Sequence, residues 1–185
     1  SMASPPSRPL LERGGRHVAG LTWEAVQPAT TSRLPLAMLD VFGCARAGNA
    51  LAAQAGLAQS LEQAGGPGEA GVWYRAGRLP AAHAALVNGA VAHHVEMDDG
   101  SARASVHGGA AVVPAALAVA EQVGAGGREL LTAIAAGYGA AVACGRPLLP
   151  GIAAHRLHPP SIVGGFGAAA AAARLLKLDG EGVAH

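Results

Sequence analysis

Two helix-length segments, RELLTAIAAGYGAAVACG (128–145) and SIVGGFGAAAAAARLLKL (161–178), are assembled almost wholly from Ala, Gly, Val and Leu. This pattern constrains the fold more than any other feature of the chain. A glycine in a helix interior costs about 1 kcal/mol against alanine. Gly137 and Gly139 therefore need a compensating gain, and the physical candidate is a neighbouring helix lying very close. Hydrophobic residues make up 51% of the chain but aromatic rings only 3%. The core must then be filled by small aliphatic side chains, which suits helices in tight mutual contact. The expected fold class is all-α, a multi-helix bundle.

The remaining elements follow from punctuation. Residues 1–20 are rich in Pro, Gly and Arg and read as a flexible N-terminal segment, with a helical domain over 21–185. Leu36, Leu39, Val41 and Phe42 form a helical stripe that stops near Gly43 or Gly48. Asn49 is placed to cap a helix from about 50 to 64, which Gly65-Gly66 ends. VWYRAGR (72–78) is bulky and flanked by Gly, so it reads as a small strand or extended loop. Pro80 opens a helix in which Leu86, Ala90, His93 and Met97 share a face. Pro114 is expected to open the next helix, and Ser161 to cap the long helix that Asp179-Gly180 ends. EGVAH looks like the start of a further helix, so the domain is expected to be incomplete at its C-terminus.

Several function classes are disfavoured. The net charge is +1 with no basic run, which argues against nucleic acid. Charged residues are 14%, well below the usual quarter, so a partner subunit or domain is expected to cover part of the surface. The apolar runs are broken by Gly or Pro short of the ~20 residues that span a bilayer. No secretory leader is recognisable, and a cytoplasmic protein is expected. Cys44 and Cys144 sit in apolar helical contexts and read as buried free thiols.

Chemistry concentrates in two polar segments, HHVEMDDGSARASVH and HRLHPPS. Glu96, Asp98 and Asp99 fall at the expected C-terminal end of a helix, where the backbone dipole is already negative. Helix design does not account for three carboxylates there. They either meet a cation, or one works as an acid or base. The plainer alternative is a solvated loop whose Asp side chains bond nearby N–H groups. His93, Glu96, Asp98 and His107 are metal-ligand types, but the spacing HHxExDD matches no tight ligand motif, so no metal is expected. In the second segment, Pro159 and Pro160 stiffen the approach of His158 to a helix N-terminus, which favours an anion such as a carboxylate. GGFG (164–167) follows no strand and is a poor dinucleotide signal.

At these segments the chain resembles the MmgE/PrpD family, whose members include 2-methylcitrate dehydratase, cis-aconitate decarboxylase and iminodisuccinate epimerase. The resemblance runs through VAGLTWEAVQP, LAMLDVFGCARAG, AALVNGAVAHHVEMDDG, VHGGAAVVPAALAVAE and HPPSIVGGFGAAAAAARLLKLDGEGVAH, in the family's order. It implies the family's helical N-terminal domain, a dimer, and no metal or organic cofactor. It also implies lyase or isomerase chemistry on a small di- or tricarboxylate, with proton transfer beside a carboxylate. Carried over, His107 and His158 are the candidate acid and base, with Glu96, Asp98 and Asp99 in support. Ser101, Arg103, Ser161 and His94 are the candidate substrate contacts. The chain departs from the family at Gly100-Ser101 and His107-Gly108, and the family's catalytic lysine lies beyond its last residue. Its one lysine, Lys177, stands outside that motif. The alternative expectation is a repurposed, non-catalytic helical module that binds a small acid or pairs with a complementary C-terminal domain or second subunit.

Overall fold

A computed structural model describes residues 10–50 and 55–185. The helices are α1 (Leu10–Gly20), α2 (Pro28–Thr31), α3 (Leu34–Asn49), α4 (Ala55–Ala64), α5 (Ala81–His93), α6 (Gly108–Val123), α7 (Gly127–Ala154), α8 (Pro159–Leu175) and α9 (Gly180–Ala184). A 3-10 turn at Trp23–Ala25 precedes α2. Between α4 and α5, β1 (Ala70–Gly71) and β2 (Arg78–Leu79) pair antiparallel, Ala70 opposite Leu79. The all-α expectation holds. None of the described helices is long and apolar enough to cross a membrane.

Helix α6 is the centre of the bundle and packs on α5, α7 and α8. Its Val112, Val113 and Ala116 are fully buried beside Val41, Ala45, Val91, Ile134 and Ala171. Each fully buried Val or Ile contributes about 1.5–3 kcal/mol, and the small residues between them let the backbones approach. The contact expected from the interior glycines is found where α7 crosses α8. A Cβ on Gly137 would lie 2.8 Å from the Gly167 carbonyl oxygen and 2.6 Å from Val112 Cγ1. A Cβ on Gly167 would reciprocally lie 2.9 Å from the Gly137 carbonyl oxygen.

Tertiary packing moves several boundaries away from their local signals. Helix α6 starts at Gly108, six residues before Pro114, which sits fully buried inside it. Pro114 has no N–H for the Ala110 carbonyl, one turn back. That carbonyl instead faces α5 at Gly89, where a Cβ would come within 2.8 Å of it. Helix α7 likewise continues past Gly145, through Pro147 and Pro150, to Ala154. Gly145 is a contact point inside it: a Cβ there would meet Ala104 at 2.9 Å and Val163 at 3.0 Å. Ile152, further along the same helix, joins Ala104, Val106, Ala141 and Val163 in one apolar cluster.

Other expectations change as well. Of the segment expected to be loose, residues 1–9 lie outside the described residues and Leu10–Gly20 is helical. It packs on α9 through Gly15, beside the Gly180 carbonyl, and Arg174 donates two hydrogen bonds to the Leu21 carbonyl at 2.9 and 3.1 Å. The helix expected over 50–64 is described from Ala55. Along α3 it is Leu34, Val41, Ala45 and Gly48 that face inward, while Leu36 and Leu39 are exposed. VWYRAGR forms the turn of the small hairpin and the first residue of its second strand. Buried Asn88 holds the hairpin, accepting from Trp73 N–H at 2.9 Å and donating to the Gly71 carbonyl at 3.0 Å. Helix α8 ends at Leu175, and Asp179 instead caps α9, accepting from Gly182 N–H at 2.8 Å.

Candidate active site

Helix α5 ends at His93, and the chain turns sharply through Glu96, whose φ of 48° is left-handed. The reversal carries Asp98 back beneath the last turn of α5. Its carboxylate is buried, and Oδ1 lies 3.0 Å from His93 Nδ1 and 3.5 Å from His107 Nδ1. The Asp98 carbonyl is 3.2 Å from the same His107 nitrogen. An antiparallel bridge between Ser101 and Val106 folds the loop on itself and brings His107 beside His93, with ring centroids 5.1 Å apart. Asp98 thus holds both imidazoles through Nδ1, that of His93 by its carboxylate and that of His107 by its carbonyl. Asp98 Oδ2 and His93 Nε2 are buried with no hydrogen-bond partner.

Asp99 has a different task. Its Oδ1 accepts from Gly109 N–H at 2.7 Å at the start of α6, where the helix dipole favours negative charge. Its Oδ2 accepts from the Tyr138 hydroxyl at 2.6 Å, and its own N–H donates to Asp40 Oδ2 at 3.2 Å. Burial, reinforced by the Asp99 charge beside it, pushes the Tyr138 phenol well above its ordinary range, so it remains a donor. Tyr138 also lies where side chains on Gly108 and Gly109 would be, at 2.8–3.0 Å from their hypothetical Cβ atoms. Glycine at these positions lets α6 begin against Tyr138 and sets where His107, the residue before it, can sit.

The second segment enters through α8. His158 occupies the N-cap position, with Pro159 and Pro160 in the first turn. Ser161 is not the cap: its hydroxyl lies 2.8 Å from His158 Nδ1 and steadies the ring. The His158 and His93 rings are 6.1 Å apart. His107, His158 and Pro160 form the shared rim of two lobes of one open cleft. The first, about 320 Å³, is bounded by the 100–107 loop and includes Ser101 and Ser105. The second, about 390 Å³, runs between α5, α6 and α8 over Leu86, Ala90, Ala111, Gly164 and Ala168. This is the size range of small-molecule sites.

The two polar segments therefore meet, but not all their candidate residues do. His107, His158, Asp98, Ser101 and Ser161 stand at the cleft or directly support it, and Asp99 acts behind it. Glu96 and Arg103 are exposed, and neither lines either lobe. His94 caps α5 with its Cβ near Gly48 of α3, outside both lobes. The histidine that belongs to the site is His93, one residue earlier. Its signal was the shared face of Leu86, Ala90 and His93, which the structure turns toward the second lobe. Among the described residues, no lysine or arginine lines either lobe. Cys44 and Cys144 are free. Burial, then the charges of Asp40, Asp98 and Asp99, push the Cys44 thiol up, and burial does the same to Cys144.

Comparison with known proteins agrees with this architecture. Cis-aconitate decarboxylase of Homo sapiens is 38% identical over 110 residues, an alignment covering 55% of this chain and 22% of that protein. The chain thus spans about a fifth of the length of this relative. The sequence model of the MmgE/PrpD N-terminal domain matches residues 14–185, taking in every helix of the bundle from the middle of α1 onward. With that match laid over the helical bundle and its histidine-lined cleft, the chain belongs to the MmgE/PrpD family, of which it carries the N-terminal domain.

Proposed function

We propose that this domain supplies the histidine-bearing side of the active site of a lyase or isomerase that moves a proton beside a carboxylate of a small di- or tricarboxylate. The observation that carries the reading is His107, anchored through Nδ1 by buried Asp98, sharing the rim of a cleft with His158. His107 Nε2 takes a proton from the carbon next to a carboxylate, and the nearby Asp98 charge stabilises the imidazolium that forms. His158, steadied by Ser161, is the partner acid. In a dehydration it delivers its proton to the departing hydroxyl, leaving water and an alkene. In an epimerisation it returns a proton to the opposite face. In a decarboxylation, carbon dioxide leaves with the bond broken at carbon, and the histidine protonates the carbanion. Family membership supports lyase-type chemistry of this kind, and the likeness to a decarboxylase points the same way. The working unit is proposed to be a cytoplasmic homodimer, or an assembly with a complementary C-terminal domain, acting without a catalytic metal or organic cofactor. The cation that pairs with the substrate carboxylate is proposed to reach the cleft from outside the residues that line its two lobes.

A second reading, a non-catalytic module that binds a small acid or pairs with another subunit, draws support from one observation: neither lobe carries lysine or arginine among the described residues. The full-length protein separates the two. Citrate-, aconitate- and succinate-type acids are offered while alkene absorbance or deuterium exchange at the α-carbon is followed. Turnover that collapses in both His107→Gln and His158→Gln supports the enzyme. Binding of these acids with no turnover or exchange supports the module and refutes the proposed reaction.

A further inference from the structure

We propose that His93, Asp98 and His107 form a binding site for one divalent cation of the zinc class, open on the side of the cleft. Donor atoms of these three residues all lie within 4.8 Å of one another. A tetrahedral zinc ion with ligands at ~2.0–2.1 Å requires donor-to-donor distances of ~3.3 Å. The two measured edges, 3.0 Å from His93 Nδ1 to Asp98 Oδ1 and 3.5 Å from His107 Nδ1 to the same oxygen, bracket that value. Imidazole and carboxylate are the ligand types that suit zinc. A second, independent observation points to a ligand. Asp98 is 5% exposed, and its Oδ2 is buried with no hydrogen-bond partner. A buried carboxylate oxygen without a partner is costly, and a cation beside Oδ1 neutralises the charge that Oδ2 shares.

The spacing argument against a metal does not apply to this set. His93 and Asp98 meet because Glu96 reverses the chain, and His107 arrives through the Ser101–Val106 bridge. No short motif encodes that closure. His93 and His107 also line the cleft, from which water or a carboxylate can complete the shell. The ion binds deprotonated imidazole nitrogens. With Nδ1 of His107 on the metal, its Nε2 carries the proton and is lost as a base. The site is therefore antagonistic to the proton chemistry proposed above, and it is tested without reference to turnover.

The test is a zinc titration of the chelator-treated full-length protein by calorimetry, with cobalt(II) absorption reporting coordination geometry. One ion is expected per chain, with the intense visible bands of a tetrahedral cobalt site. His93→Gln and Asp98→Asn should each weaken binding more than the roughly 10–100-fold that outer-shell changes cost, whereas His94→Gln should leave it within about twofold. Circular dichroism and melting establish that each variant is folded, and His107→Gln replaces any that is not. Absence of one-to-one binding overturns the site, as does equal weakening by His94→Gln, or binding that survives both His93→Gln and Asp98→Asn. An active enzyme that binds no zinc overturns only the metal site. A zinc-binding protein with no turnover overturns only the proposed reaction.

Discussion

Replacing Gly137 and Gly139 separately by alanine tests the packing logic of the bundle, because the two sites lie two residues apart on α7 and should respond with opposite sign. At either position alanine brings the same intrinsic gain of about 1 kcal/mol in a helix interior. Around Gly139 a new Cβ meets nothing within 4 Å, so Gly139→Ala should keep most of that gain. At Gly137 the new methyl would lie 2.6 Å from Val112 Cγ1, 2.8 Å from the Gly167 carbonyl oxygen and 3.1 Å from Ala171 Cβ. Val112 is fully buried and the carbonyl is backbone, so neither can swing aside and α8 must move away. Overpacking costs about 1–3 kcal/mol, and backbone on the far side places this site at the upper end. Subtracting the helix gain of about 1 kcal/mol leaves a net loss of about 2 kcal/mol for Gly137→Ala. For a chain of this size 1 kcal/mol moves Tm by about 2–4 °C. Gly137→Ala should then melt about 4–8 °C lower and Gly139→Ala about 2–4 °C higher, with urea midpoints shifting in the same directions. Shifts of the same sign, or a stabilised Gly137→Ala, would show that the α7–α8 crossing is not held at glycine contact distance.

Asp98→Asn keeps the shape of the side chain but removes the charge that faces two imidazoles. In the full-length protein, the proposed turnover should fall about 10²–10⁴-fold with KM changed far less; a drop confined to KM would assign Asp98 to substrate binding. Tyr138→Phe leaves Asp99 Oδ2 without its 2.6 Å donor and should cost about 1–3 kcal/mol at neutral pH. The same variant has a pH signature. The folded phenol pKa is raised, so above about pH 10 the unfolded chain loses the proton first and the native state loses stability as pH climbs. Tyr138→Phe should flatten that alkaline decline in denaturation series, and an unchanged slope would show that the phenol is not held protonated. Cys44 is buried with its thiol pushed up, so native-state alkylation near neutrality should be far slower than in denaturant; matching rates would place it at an open surface.

Local rules reached a good part of the protein. Apolar periodicity and Gly/Pro punctuation located the helices from α3 to α8, because helix formation depends on neighbours three and four residues away. The interior glycine at 137 announced a close helix before its partner, Gly167, was known. The two polar segments also stand out as candidates for chemistry, since helix design does not account for three carboxylates and several histidines there. What local rules could not supply was pairing across sequence distance. Pro114 reads as a start, yet it lies inside α6, and α7 runs on through Gly145, because contacts with Gly89, Ala104 and Val163 outweigh the propensity of one residue. Glu96, Asp98 and Asp99 looked equivalent in the sequence. The turn at Glu96 leaves the first exposed, buries the second against His93 and His107, and gives the third to the N-terminus of α6. His93 and His94 are adjacent in the chain, but a helix rotates successive residues by about 100°, so only His93 faces the cleft. Residue types and helical period were enough to mark the two polar segments as a candidate acid–base site. Which carboxylate holds which imidazole was decided by the tertiary fold, because hydrogen bonds act over about 3 Å and only the packed chain sets those distances.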